Sequence, residues 1–285
     1  MPFQAYDQIV SSLTGDKTYT AYFSKYIATG PTASYWYDYS MLDGHPVANT
    51  YSGSNLTAIQ LTDSSQGALY HGGNVSPSTK HILNWQLSGA TGSGNIFLLC
   101  DYLLYYRYIN LNTTSQQNLT NSVSLPRYTD GKGVRAFLVT TTAAGSTSSI
   151  LTISYTNQDG VSNRTLPINV SLVPSSPLNH ITHSGSGAGR YGPFLPLAEG
   201  DTGIRSIQWV KLSKGMGSGY ATLVLCKPLI DISIPQAYLL GERECIKELP
   251  SLPRIYDGAY LGILVFANSL SYRTMVTGFI TFGWD

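Results

Sequence analysis

His180 and His183 stand three residues apart in Asn179-His180-Ile181-Thr182-His183-Ser184, a spacing that ligates a divalent metal when a carboxylate converges on the pair. No Asp or Glu falls between Asp159 and Glu199, so two polar loop histidines are the plainer reading. Directly after them, Gly185-Ser186-Gly187-Ala188-Gly189-Arg190 has the glycine density of a nucleotide loop. Dinucleotide binding needs a strand before such a loop, a helix after it and an acidic residue to hold the ribose. None of these is in the pattern, and the glycines read as flexible chain. His71 in Tyr70-His71-Gly72-Gly73-Asn74 and His45 before Pro46 read as turn residues. There is no G-x-S-x-G elbow, no G-x-x-x-x-G-K-[ST] phosphate loop and no H-E-x-x-H, each of which carries its chemistry through a fixed local geometry. The 16 carboxylates mark no particular pair for glycoside hydrolysis. The expectation is a non-enzymatic chain with no catalytic residue, no cofactor and no metal.

Cys100, Cys226 and Cys245 are an odd count without C-x-x-C spacing, which fits a reducing compartment better than a disulfide framework or a zinc knuckle. Cys100 and Cys226 are expected as buried small hydrophobes. The 285 residues carry 17 basic and 16 acidic side chains, a net charge of +1. That balance supplies no field for a nucleic-acid clamp or a polybasic membrane binder. An apolar share of 42% is enough for a core and argues against disorder. Met1-Pro2-Phe3-Gln4 shows no signal-peptide pattern, and the longest apolar runs fall short of the roughly 18 residues of a membrane span. Synthesis in a cytoplasm, with no membrane partner, is the expectation. The six N-x-S/T sequons, beginning at Asn55, Asn74, Asn112, Asn118, Asn163 and Asn169, are attributed to an Asn-, Ser- and Thr-rich composition.

The 21 tyrosines are the remaining candidates for recognition. Tyr35, Trp36, Tyr37 and Tyr39 form one cluster between Gly30-Pro31 and Asp43-Gly44-His45-Pro46. Tyr102, Tyr105 and Tyr106 follow an apolar run around Cys100. Tyrosine gives a large contact area with one polar handle, suited to a protein interface or to stacking on a sugar. With Arg127 and Arg254, which could each pair with a carboxylate at a contact, these seven aromatics are the candidate interaction surface. Core packing plus a subunit interface is the plainer account of the tyrosines.

The elements that must position these residues are mainly β. Leu151 to Tyr155, Asn157-Gln158-Asp159-Gly160 and Val161 to Val170 read as a hairpin, with Asp-Gly supplying the positive-φ turn. Further strands are predicted over 81–87, 95–104, 134–140, 206–212, 221–226, 261–267 and 274–282, and a short helix over 5–13 with Tyr6, Ile9, Val10 and Leu13 on one face. An internal repeat organises them. Ser124-Leu125-Pro126-Arg127-Tyr128-Thr129-Asp130-Gly131 returns as Ser251-Leu252-Pro253-Arg254-Ile255-Tyr256-Asp257-Gly258, six identities in eight places. Trp85, Cys100 and Pro126 recur as Trp209, Cys226 and Pro253 in the same order. The reading is two homologous antiparallel β-sandwich or barrel lobes, jelly-roll-like, over 56–175 and 197–285. Residues 176–196, with their Pro and Gly, are the linker or an exposed loop. Residues 1–55 form an N-terminal arm or cap. Trp85 and Trp209 are expected to superpose as core plugs, and removal of residues 1 to 50 to leave the lobes folded.

Two runs carry a resemblance. Tyr70-His71-Gly72-Gly73-Asn74-Val75-Ser76-Pro77 with Thr79-Lys80-His81, and Tyr155-Thr156-Asn157-Gln158-Asp159-Gly160-Val161 with Arg164-Thr165-Leu166-Pro167, resemble segments of structural proteins of tailed bacteriophages. Within that group the resemblance is to accessory head proteins, the decoration or cement proteins of the capsid exterior. It covers mainly residues 35–170 and carries no catalytic residue. It implies a virion protein that bridges subunits of the major capsid protein, self-associates as a homotrimer and makes no direct contact with nucleic acid. A tail or baseplate component, and a carbohydrate- or receptor-binding β module, are the alternatives.

Overall fold

The computed structural model describes residues 3, 5–27, 33–89, 94–185, 187–249, 251–268 and 274–285. Gly30-Pro31, Ser186, and residues 1, 2 and 4, which entered the readings above, lie outside the described residues. The chain opens with α1 (Tyr6–Thr14), β1 (Thr18–Ile27), β2 (Tyr35–Asp38), β3 (Gly44–His45) and β4 (Ala58–Gln60). It continues through β5 (Lys80–Gly89), β6 (Asn95–Asn110), β7 (Gln117–Asn118), β8 (Arg135–Thr142), β9 (Ser149–Asn157), β10 (Arg164–Thr165) and β11 (Val170–Leu172). It closes with β12 (Ile204–Leu212), β13 (Tyr220–Ile234), β14 (Gly241–Glu244), the short α2 (Cys245–Glu248), β15 (Arg254–Ile255), β16 (Tyr260–Ala267) and β17 (Thr274–Trp284).

These strands make three antiparallel sheets. The central one runs β2-β16-β6-β13-β8, with β4 on β6; a second runs β14-β5-β17-β1-β3, with β15 on β5; a third runs β10-β9-β12-β7, with β11 on β9. β6 and β13 are long enough to serve two cores in succession. One face of their first and last turns, through Phe97, Leu99, Ile230 and Ile232, packs on the second sheet with Phe23, Trp85, Ile280 and Phe282. The same face further along, through Tyr106, Ile109, Leu223 and Leu225, packs on the third sheet with Ile153, Tyr155, Ile207 and Val210. The opposite face of the central sheet presents Cys100, Tyr102, Val224 and Cys226 to Tyr51, Leu61 and Ile181. Burial on both faces is why β6 reads as a continuous apolar run rather than an alternation.

The repeat is present in the pairing itself. β5, β6, β8 and β9 recur in order as β12, β13, β16 and β17, and β8–β13 and β5–β17 have β16–β6 and β12–β9 as their counterparts. The β6–β13 register obeys the same exchange: Asp101 faces Lys227, Cys100 faces Pro228 as Tyr102 faces Cys226, and Leu99 faces Ile230 as Leu104 faces Leu225. Each sheet therefore mixes strands of both halves. The sheets do not divide at 176–196, since β9 of the first half pairs with β12 of the second, and β5 with β17.

The register also corrects the match of Trp85 to Trp209. A bulge in β5 sets Ile82 opposite Phe282 and Asn84 opposite Thr281, whereas the bulge in β12 sets Ile207 opposite Tyr155 and Trp209 opposite Ser154. Ile82 thus corresponds to Ile207, and Trp85 to Val210. Trp85 is buried in its core while Trp209, at the place of Asn84, is half-exposed, because a shift of one residue along a strand turns the side chain to the other face.

Residues 18–27 and 33–51 are no arm. β1 lies between β17 and β3 and pairs with β17 over its whole length, from Thr18 opposite Gly283 to Ile27 opposite Thr274. Ala21, Phe23 and Ile27 enter the core, as does Lys25, whose Nζ donates to Leu42 O at 3.0 Å and Pro46 O at 2.6 Å. Residues 176–184 are likewise no exposed linker: Ser176, His180, Ile181, Thr182, His183 and Ser184 are buried, and Ile181 bridges to Val139. The hairpin turns where Asp-Gly predicts, with Gly160 at φ +80 and the Asn157 Oδ1 accepting from the amides of Asp159 and Val161. α1 spans the predicted helix, but only Ile9 of its apolar stripe is buried; Tyr6, Val10 and Leu13 face outward.

Candidate functional site

The two copies of the Ser-Leu-Pro-Arg motif meet in space. Strand exchange brings the loop before β8 and the loop before β16 to opposite walls of a cleft of about 680 Å³, closed on a third side by Ser76–Thr79. The Tyr128 and Tyr256 rings meet edge to face, with centroids 4.9 Å apart. Tyr128 holds φ +51, a backbone region that non-glycine residues seldom occupy.

Behind this wall Arg127 makes a two-pronged ion pair with Asp101, Nε to Oδ2 at 2.8 Å and Nη2 to Oδ1 at 2.6 Å, and its Nη2 also donates to Leu61 O and Tyr102 O. The Tyr260 amide donates to Asp101 Oδ1 at 3.2 Å. The pair sits where the two cores divide, 7% and 1% exposed. Burial pushes the Asp101 carboxyl up to about 6 against the pull of the guanidinium. The exchange that carries Arg127 to Arg254 carries Asp101 to Lys227. A lysine cannot pair with an arginine, and Arg254 turns outward, its guanidinium 4.1 Å above the Tyr256 ring. Lys227 in turn donates to Lys132 O at 3.1 Å and lies 5.5 Å over the Tyr128 ring.

The remaining aromatics of the expected interaction surface are buried or half-buried within the chain. Tyr37, Tyr39, Tyr102, Tyr105 and Tyr106 are core residues. Tyr102 stacks on Tyr260 with centroids 5.4 Å apart, above Gly262, where a Cβ would stand 2.6 Å from the Tyr102 ring. Tyr102 and Tyr51 donate to the two oxygens of buried Asp38, at 2.9 and 2.5 Å, and burial raises the Asp38 carboxyl above its ordinary range. Tyr105 donates to Ser52 O, and Tyr106 to Asn121 Oδ1 at 2.6 Å. Tyr35 and Trp36 are half-buried; Tyr35 Oη accepts from Arg190 and its ring meets His180 edge to face at 4.8 Å. Of the nine expected surface residues, Arg127 and Arg254 line the cleft and the seven aromatics do not.

The surface that the sequence reading missed is the outer face of the second sheet. Tyr22 and Tyr26 of β1 stand beside Phe279 and Met275 of β17 in direct register, with the Tyr22 and Phe279 ring centroids 5.4 Å apart and exposures of 43% and 48%. Its signal was the alternation of Thr18 to Ile27, in which aromatic side chains fall on both faces and hide the period. His180 and His183 are buried. Desolvation lowers both to about 3, so they are neutral, and His183 Nε2 accepts from the Leu138 amide at 3.3 Å. Among the described residues no group of three or more His, Cys, Asp or Glu side chains converges on a metal position, and no helix is long and apolar enough to cross a membrane. Cys100 and Cys226 meet across β6 and β13, buried, with the Cys100 thiol pushed up by desolvation.

No family model matches the chain, and no curated protein matches it. Among solved structures it is similar to the VP2 subviral particle of infectious bursal disease virus, at 10% identity over 98% of this chain and 87% of that one, with a TM-score of 0.19. A mutant VP2 in T=1 particles of that virus is similar at 11% identity over 98% and 84%, with a TM-score of 0.20. TM-scores this low do not establish a common fold.

Proposed function

We propose that the chain is a non-enzymatic structural component of a virion, which decorates the outer surface of a phage head and stabilises it by bridging subunits of the major capsid protein. The observation that carries this reading is the outer face of the second sheet, where Tyr22, Tyr26, Met275 and Phe279 present four large apolar side chains on adjacent strands. The two pairs flank Ser24 and Thr277 on one sheet face, and large apolar side chains gathered in the open on one face support a protein contact there. The resemblance of residues 70–81 and 155–167 to tailed-phage head proteins supports the choice of partner. The duplicated fold agrees with it, since a chain built on an internal two-fold presents related surfaces to neighbouring subunits of a shell. Self-association as a homotrimer is part of the proposal.

The experiment is co-sedimentation with purified heads of the phage that encodes the chain, together with light scattering of the free protein. Saturable, salt-tolerant binding of many copies per head, lost in a Tyr22→Asp, Phe279→Asp variant that keeps its thermal midpoint, is the expected result. A free-solution mass three times the chain's 30.9 kDa accompanies it if the trimer preassembles. Wild-type protein that leaves heads bare at saturating concentration overturns the reading.

A further inference from the structure

We propose that the cleft between the two repeated motifs binds a carboxylate-bearing saccharide, with the Arg254 guanidinium taking the carboxylate. The internal repeat supplies the argument. Arg127 shows what this motif arginine does when its strand partner is an acid: it grips the Asp101 carboxylate in a fork of two hydrogen bonds. In the other copy the position that corresponds to Asp101 is Lys227, which removes that internal carboxylate and leaves Arg254 as a planar cation in the cleft with no ion pair among the described residues. The other cleft charges are committed. Asp257 accepts from the amides of Val75 at 2.9 Å and Ser76 at 3.2 Å, and Asp130 lies 3.8 Å from Lys132. Stacking on Tyr256 holds the guanidinium plane and leaves its N–H edge available, the arrangement in which arginine reads a carboxylate bidentately.

The rest of the cleft selects the ligand body. The differences between the motif copies fall here: Tyr128 stands against Ile255, and Thr129 against Tyr256, so that one tyrosine from each copy reaches the shared space. Two aromatic rings among Ser78, Thr129, Asp130 and Lys132 suit a molecule with an apolar C–H face and a rim of hydroxyls, which is a sugar ring. The volume of about 680 Å³ is ample for one or two rings and larger than a single carboxylate side chain fills.

The test is titration by isothermal calorimetry and by amide chemical shifts at low ionic strength, with galacturonic acid and N-acetylneuraminic acid as probes and galactose, acetate and a blocked acidic peptide beside them. Saturable binding of at least one sugar acid, with galactose and acetate much weaker, is expected. Arg254→Gln should weaken it about tenfold or more, the worth of a charge-assisted fork, and Arg254→Lys less. Tyr256→Leu should weaken both sugar acids while Arg243→Gln, outside the cleft, changes nothing. Arg254 is exposed, so the two Arg254 variants keep the wild-type thermal midpoint. Absence of binding by both sugar acids, equal binding of galactose, binding of the peptide alone, or sugar-acid binding indifferent to Arg254→Gln each overturns the proposal.

Discussion

Acid should loosen this protein through a histidine that plays no part in any surface. His180 is 1% exposed, neither ring nitrogen has a hydrogen-bond partner among the described residues, and its ring is held between Tyr35 and Tyr37. Desolvation, with the Arg190 charge adding to it, lowers its pKa to about 3. The unfolded chain binds a proton here below about 6.5 and the folded chain does not, so stability is full above pH 6.5 and is lost as pH falls toward 3. At pH 5.0 the loss is one and a half units at about 1.4 kcal/mol each, or about 2 kcal/mol for this side chain. His183 and His71, lowered to about 3 and about 4, add similar losses, and the raised carboxyls of Asp38 and Asp101 act in the opposite sense. A His180→Phe variant isolates the one term, because the others are common to both proteins. Urea unfolding of both at pH 7.5 and 5.0 should show the variant losing about 2 kcal/mol less than wild type over that interval. The value at pH 7.5 reports only packing and two removed unpartnered nitrogens, and it cancels in the comparison. Equal pH dependence in the two proteins would mean that His180 is protonated in the folded chain, and would refute the burial argument.

Four further outcomes are expected. Asp101→Asn, which strands the buried Arg127 cation, should cost about 3–5 kcal/mol in urea unfolding, whereas Asp101→Leu with Arg127→Met should recover most of that loss. Trp85→Ala should cost about 3–5 kcal/mol and Trp209→Ala, at a half-exposed position, clearly less by the same measurement. Deletion of residues 1 to 50 should give insoluble protein or a chain without a cooperative thermal transition, because it removes β1 and β3 from the second sheet and β2 from the central one. Tyr22→Asp with Phe279→Asp should leave the far-ultraviolet circular dichroism and the midpoint unchanged while abolishing sedimentation with heads.

The β class, the hairpin at Asp159-Gly160 and the strand cores around Leu83, Leu99, Leu138, Val224 and Leu264 were legible because each is a short apolar run bounded by turn residues. The repeat was legible because Pro, Arg and Asp-Gly sit at fixed turn positions in both copies. What escaped has physical reasons. β1 was read as arm because a lysine occupies an inward place and tyrosines the outward ones; Lys25 is tolerated inside only because two carbonyls receive its ammonium. The last third of β13 was hidden by Pro228, which sits at a register shift in the pairing with β6, where a missing N–H is cheap. Trp209 looked like a plug because matching Trp to Trp sets β12 one residue out of step with β5, and in a strand one residue is the difference between the two faces. The cleft was invisible for a topological reason: its walls come from loops far apart in the chain, and only the exchange of strands between halves sets them face to face.

That exchange also fixes when the protein can first exist. During synthesis β5 is made early, yet its neighbour β17 is the last strand, and β9 must wait for β12. At ribosomal speeds the interval between Lys80 and Thr274 is on the order of ten seconds or more, through which the long apolar strand Asn95–Asn110 has one of its two flanking partners at most for most of the time. The core against the third sheet draws on residues 58 to 225 and is synthesised before β17, whereas the core against the second sheet waits for Val276, Ile280 and Phe282. A chain cut short before β17 then holds every residue of one core and lacks the strand that joins β5 to β1 in the other.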